Sequence, residues 1–442
     1  VNLLRAIPLT GQVADLIIFA LLALIILALC LPPRRRFLLR AALPSLLVGG
    51  IVAGGAWYLI SVRHRLVPEG IDLRIFLASG LAIAAMGLAL ARLFSLPKAR
   101  VGRGKKVAAA LGATLALLAA PLLGLGMGNV VYHLFPSAYS LLSAEGPRTI
   151  TYEQAEAERA HPSPDKPPAS AVVRTQLANT ASRFTTTPAL VYLPPAYFAG
   201  AKDLPVVVLI AGVPGGPDDW FSLGEAHLAL DDYAALHGGV SPIVVAVDAN
   251  GSQFHDTLCV DSKEGNVDTY LSEDVRDDVV KRFHTASDAK RWAVVGLSRG
   301  GTCSLQLVAH HPDKFATFVN MSGELHPQTT NVDATIKQYF DGDAQAYADA
   351  GAEKILTNNA LAPGQKSGLF AGVAGRFIAG ENDHSAQVDL RQLDRLARAA
   401  GIDSAFNELP GAHTWQVWRE GFADSLGFLG ERLGIGAGHP GG

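Results

Sequence analysis

The hydrophobic pattern of the chain changes near residue 135. Before that point apolar residues run almost unbroken through four stretches: 13–32 (VADLIIFALLALIILALCLP), 41–62, 73–96 and 107–130. The charges of this part sit in short clusters. About 20 helical residues cross the ~30 Å hydrocarbon core of a bilayer, and each stretch meets that length. Four such runs in succession predict a bundle of four transmembrane helices over residues 1–135 rather than the buried helices of a soluble core. The first run leads into PPRRR and three further spans without a small-residue cleavage site, unlike a removable secretion signal.

Lys and Arg set the expected orientation. Arg34, Arg35, Arg36 and Arg40 occupy the first loop, and Lys98, Arg100, Arg103, Lys105 and Lys106 the third. The second loop, around 63–74, sets Arg63, Arg65 and Arg74 against Glu69 and Asp72. The first and third loops are therefore expected in the cytoplasm and both termini outside. That describes a multi-pass protein of the cell membrane with an extracytoplasmic C-terminal domain. The spans hold almost no ionisable residue at mid-depth, where charge would mark a transport path, so an anchoring role is expected. Gly49, Gly50, Gly54 and Gly55 are expected to let helices pack closely.

Residues 143–182 lack hydrophobic periodicity and include AHPSPDKPPAS (160–170), which reads as a semi-extended Pro-rich linker, so a linker is expected over 136–184. Short β-branched runs follow: ALVYLPPAY (189–197), LPVVVLIAG (204–212), SPIVVAVDA (241–249), RWAVVGLS (291–298), FATFVNMSG (315–323), GRFIAGEND (375–383) and DSAFNELPG (403–411). Helical patterns lie between them, at 269–284, 300–311, 386–400 and 415–433. Such alternation predicts an α/β domain over 185–433, its mainly parallel sheet covered on both faces, before a flexible tail at 434–442. Sites in such sheets gather at the carboxyl ends of the strands. The segment 324–372 falls between two core strands and is expected to form a lid-like insertion.

At the end of one run, GLSRG (296–300) holds a serine between two glycines, with a strand before it and a helix after. This is the G-x-S-x-G nucleophile elbow in its required context. A serine hydroxyl is a weak nucleophile and needs an adjacent base. The chain order for this fold is serine, acid, histidine, which points to His413 in LPGAHTWQVW as the base. Asp383 in IAGENDH is the expected acid, with Glu381 as the alternative. His310 and His311 end the helix behind the serine, where the helix dipole accounts for them. The backbone N–H groups of Arg299 and Val213 are the expected oxyanion-hole donors.

Four segments together resemble an esterase family that includes esterase D-like enzymes and the antigen 85-type mycolyltransferases of actinobacteria. They are VYLPPAYFAGAKDLPVVVLIAG, DTYLSEDVRDDVVKRF, GLSRGGTCSLQLVAHHPDKFATFVNMSGE and GAHTWQVW. The likeness covers about 185–432, and H-x-W-x-x-W after the serine elbow is its most specific part. It implies an α/β-hydrolase fold acting on acyl esters through an acyl-serine, with Ser298, Asp383 and His413 as the triad and Val213 and Arg299 at the oxyanion hole. The chain departs from the family at Ala211-Gly212, where His-Gly or Asp-Gly is usual. Mycolyltransferase acceptor specificity therefore does not carry over. Trp415 and Trp418 are expected to pack the last helix rather than touch substrate.

Of three cysteines, Cys30 lies in the first span. Cys259 and Cys303 fall in the domain expected to face an oxidising space and are expected to form a disulfide. The formal net charge of −3 is unlike that of a nucleic-acid binder. With no phosphate loop, H-E-x-x-H or C-x-x-C, no cofactor or metal is expected. The leading expectation is a membrane-tethered serine esterase acting on a lipid or envelope glycolipid ester. An acyltransferase to a sugar hydroxyl is the catalytic alternative, and an idle envelope scaffold or binding module the non-catalytic one.

Overall fold

The computed structural model describes residues 7–32, 35–63, 71–96, 102–138, 141, 146–162, 168–329 and 331–436. Arg34, Arg65, Glu69, Lys98, Arg100, residues 163–167 of the expected linker and the last six residues of the tail lie outside them. The chain forms two compact units, Val1–Ala144 and Glu145–Gly442.

In the first unit, four helices among the described residues are long and apolar enough to cross a membrane. They are α1 (Gly11–Cys30), α2 (Arg35–Arg63), α3 (Leu73–Ser95) and α4 (Arg103–Tyr132). Leu22, Ala78, Ala82, Ala85 and Ala120 form a thin internal core. Large apolar side chains point outward, among them Leu16 (69 % exposed), Ile51 (71 %) and Leu125 (76 %). Of the glycines expected at helix contacts, only Gly49 serves: a Cβ there would fall 2.3 Å from the Gly80 carbonyl oxygen. Gly50, Gly54 and Gly55 have nothing within 4 Å of such a Cβ, because α2 presents one face to α3 and leaves the others open. Charges sit at the bundle ends. Arg74 pairs with Asp72 and Asp15 at one end, and Arg92 donates to the Leu29 and Leu31 carbonyls at the other, where α1 ends.

The second unit is built on one nine-stranded sheet among the described residues. Its strands are β1 (Thr149–Ile150), β2 (Ala171–Thr175), β3 (Ala189–Leu193), β4 (Val206–Ile210), β5 (Ile243–Val247), β6 (Trp292–Leu297), β7 (Thr317–Met321), β8 (Ala374–Gly380) and β9 (Asp403–Leu409). The spatial order is β1-β2-β3-β5-β4-β6-β7-β8-β9. Only β3 runs against its neighbours, pairing antiparallel with β2 and β5. Every residue of β4, β5, β6 and β7 is buried, as sheet centres covered on both faces require.

Part of the expected linker at 136–184 is folded. Its sequence forms β1, helix α5 (Tyr152–Ala160) and β2, all belonging to the second unit, which begins at Glu145 rather than 185. These elements are short, so no run is long enough to show a period. A capping box still starts α5, with the Thr151 side chain accepting from the Gln154 N–H and the Gln154 side chain accepting from the Thr151 N–H.

Candidate active site

The site assembles at the carboxyl ends of β4, β6, β8 and β9. β6 ends at Leu297, and helix α8 (Arg299–His310) starts two residues on. Ser298 makes the turn with φ 52° and ψ −123°, a left-handed φ that strains any residue with a Cβ. The glycines are sterically obligatory. A Cβ on Gly296 would lie 1.9 Å from the Gly300 carbonyl oxygen, and one on Gly300 would lie 2.1 Å from that of Ile210. The Ser298 N–H donates to the Met321 carbonyl at 2.8 Å, tying the elbow to β7.

The loop after β9 carries His413 back over the serine. Its Nε2 lies 3.0 Å from Ser298 Oγ and its Nδ1 2.8 Å from Asp383 Oδ2. Asp383, at the end of β8, is 3 % exposed. The alternative acid, Glu381, is solvent-exposed, and its N–H donates to the Leu409 carbonyl. Asp389 holds the Leu325 N–H at 3.0 Å, and burial pushes its carboxyl above the usual range. The structure thus brings Ser298, His413 and Asp383 into one hydrogen-bonded line and leaves Glu381 outside it.

Trp415 and Trp418 are both buried at the start of helix α13 (Trp415–Arg432). Trp418 stands edge-on to the His413 ring at 5.1 Å and donates from its indole N–H to Ser322 Oγ. Trp415 packs on Trp418 and Trp220. These are packing contacts, and one of them walls the imidazole.

Gly212 presses against the nucleophile: a Cβ there would lie 2.9 Å from Ser298 Cβ. The backbone leading to Val213 therefore runs beside the serine. The loop is held by Gly215 N–H to the Gln253 carbonyl and Gly216 N–H to Asp219 Oδ2, both at 2.9 Å. Arg299, whose N–H opens α8, sends its side chain the other way into a buried cluster. Its Nε is 3.0 Å from Asp256 Oδ2, its Nη1 2.6 Å from Glu324 Oε2 and its Nη2 2.6 Å from the Gln328 carbonyl. Burial opposes the guanidinium charge, but the two carboxylates outweigh it and raise its pKa above the ordinary value. The sequence reading missed Asp256 and Glu324. An arginine directly after the serine, and a carboxylate just beyond β7, were the signals available.

One helical turn along α8, Cys303 is bonded to Cys259, with Cα atoms 5.6 Å apart. The 256–259 loop is thus tied twice to the nucleophile helix. The insertion 324–372 folds into α9 (Val332–Tyr339), α10 (Ala344–Ala350) and α11 (Ala352–Asn358). It docks on this same loop, Tyr339 donating from its hydroxyl to the Asp256 carbonyl at 2.6 Å and packing on Leu258 and Val260. His310 Nε2 contacts the Ala350 carbonyl and His311 Nε2 contacts Asp268, so both histidines fasten the far end of α8.

A serine on a strand-to-helix elbow, over a mostly parallel sheet with helices between its strands, defines an α/β-hydrolase fold. The chain matches the Putative esterase family over residues 184–429 and belongs to it. An uncharacterized protein of Corynebacterium glutamicum is 34% identical over 398 residues, covering 89% of this chain and 90% of that one. The MPT51 antigen of Mycobacterium leprae is 30% identical over 145 residues, which are 31% of this chain and 46% of the antigen. Among solved structures, a ferulic acid esterase superposes with a TM-score of 0.50 at 19% identity, over 60% of this chain and 98% of that one. Family membership makes the activity that of a serine esterase or acyltransferase.

Proposed function

We propose that this chain is a membrane-anchored serine esterase whose hydrolase domain faces outward and cleaves acyl esters of a lipid or cell-envelope molecule. The observation that carries the chemistry is the Ser298–His413–Asp383 hydrogen-bonded line. Ser298 Oγ attacks the ester carbonyl while His413 Nε2 takes its proton. Asp383 fixes the imidazole tautomer and stabilises the imidazolium. The N–H groups of Arg299 and Val213 receive the oxyanion, a donor being worth roughly 10²–10³ in turnover. Collapse of the tetrahedral intermediate breaks the C–O bond to the alcohol, which leaves with the proton from His413. Water, deprotonated by His413, then releases the acid and restores Ser298. The anchor reading is supported by four long apolar helices whose large side chains point outward, and by Lys and Arg at the loops joining α1 to α2 and α3 to α4.

The test is turnover of short- and long-chain p-nitrophenyl esters by the full chain in detergent. Ser298→Ala is expected to lower kcat by about 10⁴-fold or more. Wild-type turnover no faster than the variant's would leave the domain a scaffold. Product analysis with added sugar acceptors separates hydrolysis from transfer, since the same acyl-serine serves both. Protease accessibility of the hydrolase domain in intact cells tests its outward placement.

A further inference from the structure

Asn250 stands where β5 gives way to loop and is 3 % exposed. Asp248, itself buried, fixes its backbone: Oδ1 accepts the Asn250 and Gly251 N–H groups at 2.9 and 2.8 Å. Oδ2 of the same carboxylate takes the Thr187 N–H at 2.8 Å and the Thr187 hydroxyl at 2.9 Å. The Asn250 carbonyl meets His255 Nδ1 at 2.8 Å. The side chain is bonded differently. Among the described residues its one hydrogen bond runs from Nδ2 to the Gly212 carbonyl at 3.5 Å, and its Oδ1 is buried with no partner. A buried amide with one long bond loses more hydration than that bond restores, so stability does not explain this residue. Its acceptor lies at the nucleophile, because Gly212 packs on Ser298 and on the Leu297 carbonyl. β4 and β5 are parallel neighbours with Ile210 opposite Val247, which brings the loops leaving them side by side. The Gly215 N–H to Gln253 carbonyl bond is a second tie between the same two loops.

We propose that Asn250 is a positioning residue for the esterase reaction: its side-chain amide holds the Gly212 carbonyl so that the Val213 N–H faces the oxyanion formed on Ser298. The Gly212 carbonyl and the Val213 N–H belong to one peptide unit. A trans peptide is planar and points the two groups in opposite directions, so a fixed carbonyl is a fixed N–H. Ala211, at the end of β4, has no polar atom to do this, and Asn250 supplies one from the neighbouring strand end. As charge gathers on the substrate oxygen it polarises the Val213 N–H, and the Gly212 carbonyl becomes a stronger acceptor. The Asn250 bond then strengthens in the transition state, which is the condition for raising kcat. Bonds of this kind are often long before substrate binds and tighten afterwards. The assignment rests on the acyl-serine chemistry and the Val213 donor proposed above.

The test is steady-state ester turnover by the full chain in mild detergent, with inhibition by an alkylboronic acid as a second readout. A boronic acid bonds to the serine oxygen and sets an oxygen of its tetrahedral adduct in the oxyanion hole, so its affinity reports on the hole without turnover. Asn250→Leu keeps the side-chain volume and removes the donor. Its kcat is expected to fall roughly 10- to 100-fold, less than the roughly 10²–10³ of a donor lost outright. KM should stay within about twofold, as for an interaction made only in the transition state. Boronate affinity should fall by the same factor as kcat/KM, which a merely structural role would not produce. Asn250→Asp has the same shape but turns an acceptor toward the carbonyl. It is expected to lose at least as much, and it decides the matter if the leucine variant fails to fold. An unchanged kcat, a loss confined to KM, or a lower kcat with boronate affinity intact overturns the assignment. Wild-type turnover no faster than that of Ser298→Ala overturns the acyl-serine reading instead, and the assignment with it.

Discussion

Arg299 serves the site through two different parts of one residue. Its backbone opens the helix behind the nucleophile, while its guanidinium joins Asp256, Glu324 and the Gln328 carbonyl from two other loops. Removing the charge would leave two carboxylates facing each other in a largely buried space. Arg299→Met is therefore expected to cost about 3 kcal/mol in stability, since breaking a buried pair from one side is strongly destabilising. It should also lower kcat more than it raises KM. Arg299→Lys should recover part of both, and adding Asp256→Asn to Arg299→Met should recover part of the stability by removing one of the two carboxylate charges the arginine held. Thermal unfolding and steady-state ester kinetics read the two effects separately. Ser298 and His413 were legible in the sequence because the elbow motif and the chain order of this fold point to them, and the same order narrowed the acid to Asp383 or Glu381. The Arg299 cluster was not, because its partners lie 43 and 25 residues away and only the fold aims the side chains at each other.

At the scale of elements, the β-branched runs translate directly into β3 to β8, because a strand buried on both faces must be apolar throughout, while β9 (DSAFNEL) is a partly exposed edge strand. β1, α5 and β2 escape that logic: they are short, peripheral and separated by Pro-rich sequence, although the Thr151/Gln154 capping box was readable. Tertiary contacts also decide what the 324–372 insertion does. It reads as a lid from its place between β7 and β8, but Tyr339 fastens it to the 256–260 loop, which the disulfide and Arg299 both hold. Cys259→Ser/Cys303→Ser is accordingly expected to lower stability by about 2–4 kcal/mol. Denaturant unfolding checks it, and an unchanged midpoint would show that the Arg299 ties alone suffice.

For the molecule as a whole, buried ionisable groups set how stability follows pH. His227, on helix α6 (Ala226–Leu236), is 7 % exposed, and burial depresses its pKa below the ordinary value. The folded state then binds fewer protons than the unfolded one, so this contribution is complete above about pH 6.5 and declines as pH falls toward the folded pKa. Burial acts oppositely on Asp219 and Asp389, whose pKa values are raised. Their contribution is complete below about pH 3.9 and is lost as pH rises through their folded values. Comparing Tm of wild type and His227→Asn from pH 7.5 to 5 isolates the histidine. The wild type is expected to lose stability relative to the variant on acidification below about pH 6.5, and parallel curves would contradict it.

Pattern alone determined the two-part organisation, the apolar helices and the α/β class, because burial and membrane crossing both demand runs of defined length and period. Motif and chain order likewise brought out Ser298 and His413 and narrowed the acid to Asp383 or Glu381. Only the tertiary structure decided that Asp383 rather than Glu381 meets the imidazole, that the Pro-rich segment is flanked by sheet and helix, and that Asp256 and Glu324 close on Arg299. These facts depend on where side chains separated along the chain point after the sheet has formed, and no local spacing records that direction.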